Sequence, residues 1–207
     1  TQEGKMKLYG HPWSSNARRV QMLCEELKIP YMYETVDLMQ GQQYTPEFQA
    51  LNPNSKVPVI DDDGFVLWES QAIMRYLADK RKAATWYPTE PKARVVVEQW
   101  LDWNQTRLGP EAGKIMFNTH FAGDQRDDRA IENARKWLLK ILPVMDGVLS
   151  NQPYLCGEHI TLADLAAVTN VWYLDHCRHD LTPYPNIGRW YTALKARPSF
   201  AATAPKT

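Results

Sequence analysis

The first eighty residues alternate between strand-like and helix-like patterns of apolar and polar positions. Strand-like runs cover residues 7–9, 31–36, 56–60 and 65–68. Helical spacing covers residues 16–28, 46–51 and 71–80. The first of these helices has an apolar face formed by Ala17, Val20, Leu23, Cys24 and Leu27. The last two strands flank an Asp-Asp-Asp-Gly turn, which predicts a hairpin.

After residue 90 the strand-like runs disappear and helical spacing dominates. It covers residues 91–121, 127–149, 162–176 and 186–195. The pair Gly109-Pro110 should kink the first of these segments, because proline has no N–H for the helix. Thr161 and Asp164 have the spacing of a variant capping box at the start of a later helix.

This change of pattern predicts two domains of different fold class, α/β followed by all-α. The βαβ-then-ββα order of the first part is typical of a four-stranded mixed sheet of thioredoxin type. We expect a thioredoxin-like domain over residues 1–80, a charged, proline-containing linker over residues 81–90 and a helical bundle over residues 91–207.

Composition and charge argue against several functional classes. Lys and Arg together number 24, as do Asp and Glu, and this zero net charge disfavours bulk nucleic-acid binding. No apolar run approaches the ~18 residues of a membrane span, and residues 1–6 lack the apolar core of a secretion signal. Three scattered cysteines predict neither a disulfide framework nor a metal cluster. We therefore expect a cytoplasmic protein without a bound metal.

Two neighbouring segments offer complementary groups to a small acidic peptide. Pro58 interrupts an apolar strand and predicts a sheet edge or bend, where Val57 keeps its backbone N–H and C=O free. Glu69 and Ser70 follow the next strand and open a helix, with Ser70 as the predicted N-cap. Backbone N–H groups at a helix start bind anions. The sequence thus predicts main-chain hydrogen bonds beside a carboxylate pocket.

Four motifs in order resemble those of the glutathione transferases. They occupy residues 8–20, 52–60, 69–73 and 157–164, and the similarity extends over nearly the whole chain. The spacing of Ser14 and Arg18 is similar to the serine-type classes, theta- and phi-like, of bacterial type. The resemblance implies a thioredoxin-like domain that binds glutathione as co-substrate, a helical domain that supplies most of the second-substrate pocket, and a homodimer.

The resemblance makes Ser14 the candidate catalytic residue. A free thiol has a pKa of about 8.5, and a hydroxyl donor at a helix N-terminus can stabilise the thiolate. Ser14 would donate to the glutathione sulfur without becoming a covalent nucleophile. From the residues alone Ser14 is more simply a helix N-cap, and Ser15 or Asn16 could make the same contact. His11, beside a proline, is interpreted as a solvated loop residue.

Further residues receive roles in glutathione binding by the same resemblance. Val57 would pair its backbone with the cysteinyl unit, with a cis bond before Pro58. Glu69 would bind the γ-glutamyl ammonium and Ser70 the α-carboxylate. Without the resemblance, the last two are an ordinary N-cap preceded by a surface acid.

Lys56 and Gln43 are candidates for the glycine carboxylate of glutathione. Many serine-type relatives carry a histidine where this chain has Gln43, so a neutral amide would replace that donor. The simpler interpretation of Lys56 is a solvated lysine at a strand edge.

The second-substrate pocket should be apolar and is poorly specified by the sequence. The candidates are Trp13, Met116, Phe117, His120 and Trp172. Aromatic residues and methionines at helical spacing are also typical of a core. Arg18 and Asp164 are expected to be structural, the first through an ion pair or carbonyl hydrogen bonds and the second as a buried capping acid.

We therefore expect a transferase of detoxification type that activates glutathione for attack on a small apolar electrophile. Ether or thioether cleavage, dehalogenation, peroxidase activity and maleylacetoacetate-type isomerisation remain alternatives. Mixed-disulfide chemistry of the glutaredoxin kind is disfavoured because residues 12–17 contain no cysteine. A non-catalytic ligand carrier should have lost the pair Glu69 and Ser70, which this chain retains.

Overall fold

A computed structural model describes residues 6–205, which form two compact units. The first unit contains residues 6–83 and 198–205, and the second contains residues 84–197. Residues 1–5 and 206–207 lie outside the described residues. The prediction that residues 1–6 lack a secretion signal therefore falls almost entirely on residues that are not described.

The first unit is built on a four-stranded mixed sheet. Its strands are β1 (Met6–Gly10), β2 (Tyr31–Thr35), β3 (Val59–Asp62) and β4 (Phe65–Trp68), in the order β2-β1-β3-β4. β1 pairs in parallel with β2 and antiparallel with β3, and β3 pairs antiparallel with β4. This arrangement confirms the predicted thioredoxin-type sheet.

Four α-helices belong to the first unit. They are α1 (Ser15–Glu26), α2 (Pro46–Leu51), α3 (Ser70–Lys80) and α9 (Pro198–Ala202), with a 3₁₀ turn at Gln42–Tyr44. The predicted inner face of α1 is buried from Ala17 to Cys24, and Leu27 is half-buried at the C-cap. The short α9 has no strong signal in the sequence and was not predicted.

The strand predicted over residues 56–60 begins only at Val59, so its first three positions were assigned wrongly. Pro58 cannot donate to a ladder, and the carbonyl of Lys56 already accepts a hydrogen bond from Asn52 Nδ2 at 2.8 Å. These two groups leave the segment before Val59 as a loop.

The second unit is helical. Its α-helices are α4 (Pro91–Trp103), α5 (Gly109–His120), α6 (Asp128–Leu149), α7 (Leu162–His176) and α8 (Pro185–Lys195). No helix within residues 6–205 has both the length and the apolar character needed to cross a membrane.

The interruption predicted at Gly109-Pro110 takes the form of a π-helical turn at Asn104–Leu108, between α4 and α5. Asn104 is fully buried there, and its Oδ1 accepts from Asn170 Nδ2 at 2.8 Å. The backbone passes so close that a Cβ on Gly109 would lie 2.9 Å from the Asn104 carbonyl oxygen. Glycine at position 109 is therefore a packing requirement.

Asp164 organises the start of α7 and is completely buried. Its carboxylate accepts from the backbone N–H of Thr161 at 2.9 Å and that of Leu155 at 3.0 Å. It also accepts from Trp190 Nε1 on α8 at 2.8 Å. The predicted capping box is present, and the same acid joins a loop and a second helix to it.

We predict opposite stability effects for two glycine-to-alanine substitutions in α5. Gly109→Ala should lower the free energy of unfolding by about 1–3 kcal/mol, because backbone must move away from the new methyl group. Gly113→Ala is the control, since no described heavy atom other than the adjacent residues and the nearby backbone of its own helix lies within 4 Å of its Cβ position. It should raise stability by about 1 kcal/mol through helix propensity. Urea denaturation of both variants measures the difference, and equal changes would contradict the packing requirement.

Candidate active site

Ser14 stands at the N-cap of α1, in the turn that follows β1. Its backbone is extended, with φ −81° and ψ 113°, and its Oγ accepts from the Ala17 N–H at 3.2 Å. A hydroxyl that accepts through a lone pair still has its own hydrogen to donate. Ser14 therefore caps the helix and offers a donor at the positive end of the helix dipole.

Ser15 and Asn16, the alternatives to Ser14, differ in exposure. Ser15 is buried, whereas Asn16 is exposed. Asn16 Oδ1 accepts from Ser70 Oγ at 3.5 Å, a long hydrogen bond between the first turn of α1 and the first turn of α3. The two segments that the sequence linked to one site thus lie side by side.

A hydrogen bond ties His11 into the same turn. Its Nδ1 accepts from the Trp13 N–H at 3.3 Å. Partial burial lowers the pKa of His11, and the negative charge of Asp37 opposes this shift. His11 is tied into the loop by this bond, and the half-buried Trp13 follows it closely.

Glu69 occupies the N-cap position of α3, which corrects the prediction that Ser70 is the cap. Its φ is 74° and its ψ is 110°, and its side chain makes no capping hydrogen bond. A positive φ in a residue other than glycine is strained and often accompanies function. Sequence gives no signal for such strain at a glutamate. Ser70 is the first helical residue and is buried.

The loop before β3 is fixed by Asn52, which sequence reasoning did not single out. Asn52 is buried, and its Oδ1 accepts from the Asn54 N–H at 3.0 Å while its Nδ2 holds the Lys56 carbonyl. The Val57–Pro58 bond is cis, as predicted. The Asn-Pro dipeptide is a turn signal that could have identified Asn52.

The two candidates for the glycine carboxylate have different surroundings. Lys56 is exposed. Gln43 lies in the 3₁₀ turn and donates through Nε2 to the Leu38 carbonyl at 3.3 Å. Its Oε1 is buried and has no hydrogen-bond partner among the described residues. One of the two amide hydrogens of Gln43 is therefore already engaged.

Arg18 lies beneath the turn and is almost completely buried. Its Nη2 donates to the Phe200 carbonyl at 2.9 Å, and its guanidinium stands 4.1 Å from the centre of the Phe200 ring. Its Nε donates to Thr203 Oγ1 at 3.4 Å. Arg18 thus attaches α9 to α1, through partners 182 and 185 residues away in the sequence.

In the second unit, two predicted pocket residues, His120 and Trp172, both have ring contacts with His176, which the sequence analysis missed. His176 stacks on Trp172 with ring centres 5.0 Å apart, and the ring of His120 lies 4.7 Å from that of His176. Burial, together with the charge of His176, lowers the pKa of His120.

The other pocket candidates are placed differently. Met116 is a core residue, and Cys177 Sγ donates to its Sδ at 3.6 Å. Phe117 is exposed, and Trp13 belongs to the first unit. Among residues 6–205, no group of three or more His, Cys, Asp and Glu side chains could hold a metal ion.

Comparisons with known proteins bear on both units. Residues 13–80 match the family model "Glutathione S-transferase, N-terminal domain", and residues 79–198 match "Glutathione S-transferase, C-terminal domain". The chain is 32% identical to glutathione S-transferase GstB of Escherichia coli (strain K12), over 93% of this chain and 94% of that protein. It is 34% identical to the disulfide-bond oxidoreductase YfcG of the same organism, over 93% and 91%. The crystal structure of poplar glutathione transferase F1 superposes with a TM-score of 0.90 at 27% identity, covering 96% of each chain.

We predict that Glu69→Gly raises the free energy of unfolding by about 1 kcal/mol, because glycine adopts a positive φ without strain. Asp63→Gly is the matched control. Asp63 has φ 56°, in the left-handed region that aspartate adopts at low cost. The free energy of unfolding of Asp63→Gly should therefore differ from that of the wild type by no more than about 0.5 kcal/mol. Denaturant unfolding compares the two variants. A Glu69→Gly protein that is less stable than the wild type would show that the observed backbone is not strained.

Proposed function

Because this chain belongs to the glutathione S-transferase family and is a glutathione transferase, we propose that Ser14 is the residue that activates the glutathione thiol. The observation that carries this proposal is the hydrogen bond from the Ala17 N–H to Ser14 Oγ at 3.2 Å. It fixes the oxygen at the helix start and leaves the O–H hydrogen for an external acceptor. A thiolate sulfur is an acceptor of suitable charge for that position.

The chemistry assigned to Ser14 is stabilisation of an anion. A hydrogen bond to the sulfur and the positive end of the α1 dipole both favour the thiolate over the thiol, and so lower the thiol pKa. The thiol proton is released to solvent, and the thiolate forms a sulfur–carbon bond to the electrophile. In a substitution the leaving group departs with the electron pair of its bond to carbon, and in an addition the electron pair of the double bond takes up a proton from solvent. Ser14 keeps its proton throughout and forms no covalent bond to substrate.

The rest of glutathione would bind along the edge formed by the loop before β3 and the start of α3. The backbone of Val57 would pair with the cysteinyl unit. The carboxylate of Glu69 suits the γ-glutamyl ammonium, and the hydroxyl and N–H of Ser70 suit the adjacent carboxylate. Lys56 and the remaining amide hydrogen of Gln43 would bind the glycine carboxylate. The strained backbone of Glu69 supports this assignment, since strain is retained where geometry serves binding.

The finer classification is also part of the proposal. We assign the chain to the serine-type, theta- and phi-like transferases of bacterial type, acting in the cytoplasm as a homodimer on small apolar electrophiles in detoxification. The similarity to GstB, a glutathione S-transferase of Escherichia coli, supports the bacterial type. The stacked group of His120, Trp172 and His176 is the proposed aromatic part of the electrophile surface.

A second candidate is reduction of a small disulfide by two glutathione molecules. In that reaction one glutathione thiolate attacks the disulfide, releases one thiol and leaves a mixed disulfide. The second thiolate attacks the glutathione sulfur of the mixed disulfide, which releases the second thiol and forms glutathione disulfide. The similarity to YfcG favours this chemistry. A protein thiol would not take part, because burial raises the pKa of all three cysteines, to about 12 for Cys24 and Cys156. Assays with a chlorinated nitrobenzene and with a hydroxyethyl disulfide separate the two activities.

We predict that Ser14→Ala abolishes the thiolate absorbance of bound glutathione at neutral pH and lowers kcat/KM about 100-fold. Ultraviolet difference spectra of the wild type and the variant, each saturated with glutathione, measure the band directly. The lost cap should also cost about 1 kcal/mol of stability, so spectra are recorded well below the unfolding temperature.

Ser15→Ala and Asn16→Ala are the controls in the same turn, and both should keep the band. If one of them loses it while Ser14→Ala keeps it, the activating role belongs to that residue. If the wild type binds glutathione without any band, thiolate stabilisation by this turn is refuted and a ligand-carrier function is favoured.

A further inference from the structure

Tyr33 fills the space beside Gly10, where β1 ends and the Ser14 turn begins. A Cβ placed on Gly10 would lie 2.7 Å from the Tyr33 hydroxyl oxygen and 3.1 Å from its ring carbon Cε2. The same point is 2.9 Å from the Cβ of Ala17. Only glycine permits this approach, so the phenol tip, the end of β1 and the first turn of α1 meet at one place.

The hydroxyl of Tyr33 is a buried polar group that the fold leaves unused. Its oxygen is inaccessible to solvent and has no hydrogen-bond partner among the described residues. Burial raises the pKa of this phenol, so it remains protonated. An unsatisfied buried hydroxyl destabilises a protein, and phenylalanine would fill the ring volume without it. A tyrosine in this place therefore calls for a functional explanation.

Ala17 connects the phenol to Ser14. Its N–H is the donor that fixes Ser14 Oγ, and its Cβ shares the crowded point beside Gly10 with the Tyr33 hydroxyl. A shift of Ala17 would move that N–H and change the direction in which Ser14 presents its own hydrogen. The hydroxyl oxygen is the phenol atom nearest to this point, so it occupies the space beside the first turn of α1.

We propose that Tyr33 is a positioning residue for Ser14, whose hydroxyl group holds Ala17 and thereby aims the Ser14 donor at the glutathione sulfur. This inference rests on the role proposed for Ser14 above. Tyr33 itself touches neither the thiol nor the electrophile. Its effect should appear more strongly in the ionisation of the bound thiol than in the affinity for glutathione, because the observed approach of its hydroxyl is to the end of β1 and to Ala17, the residue that fixes Ser14 Oγ.

The test compares Tyr33→Phe with Tyr31→Phe. Tyr31 lies on the same strand, but its hydroxyl donates to Glu25 Oε1 at 2.9 Å in a solvent-exposed hydrogen bond. The thiolate band of bound glutathione is titrated against pH for both variants and the wild type, and the free energy of unfolding is measured in parallel. We expect Tyr33→Phe to reduce the thiolate fraction at neutral pH about threefold and to keep at least wild-type stability. Tyr31→Phe should leave the titration unchanged.

The outcomes separate the two proposals. If the wild-type band disappears in Ser14→Ala but Tyr33→Phe titrates like the wild type, Tyr33 only fills space and the positioning role is overturned. If Tyr31→Phe shifts the titration as much as Tyr33→Phe, the effect is not specific to the Gly10 junction and the inference also fails. If the wild type shows no band at all, it is the role of Ser14 that is refuted.

Discussion

The geometry of the site depends on the close junction between the end of β1 and the first turn of α1. Gly10 brings the backbone of β1 against Ala17 and Tyr33, and Ala17 in turn fixes the Ser14 hydroxyl. From below, Arg18 attaches the same turn to α9. A weak donor such as a serine hydroxyl can select a thiolate only if its direction is fixed, since electrostatic stabilisation requires preorganised groups. The hydrogen bond from the Ala17 N–H and the buried side chains of Ala17 and Arg18 restrict the direction of the Ser14 hydroxyl.

In the first unit, side chains hold in place the backbone segments to which we assign glutathione binding. The buried amide of Asn52 fixes the loop that ends in Val57 and Pro58. The bond between Ser70 and Asn16 joins the starts of α1 and α3, next to the strained Glu69. In the helical unit, Asp164 has a comparable structural role, because its one buried carboxylate accepts hydrogen bonds from a loop, a helix start and a neighbouring helix.

At two places in the first unit a tertiary requirement overrides the local preference of the sequence. Serine is a better N-cap than glutamate in isolation, yet Glu69 is the cap, because the chain turns from β4 into α3 one residue earlier and accepts a positive φ there. The strand predicted to begin at residue 56 begins only at Val59, because the Lys56 carbonyl accepts a hydrogen bond from the side chain of Asn52. His176 was not predicted because one of its two ring partners, His120, is distant in the sequence.

The sequence by itself determined the two fold classes, the order along the chain of the four strands and the longer helices, and the motif segments that resemble the family. These features follow from local signals, namely the period of apolar positions, the positions of proline and glycine, and the capping residues. Such signals can be interpreted without knowledge of the rest of the chain. Only the tertiary structure decided which buried groups support those segments. The attachment of Arg18 to Phe200, the approach of Tyr33 to Gly10 and the pairing of Asn104 with Asn170 join residues far apart in sequence. Such contacts follow from close packing of the whole unit, and no local pattern encodes them.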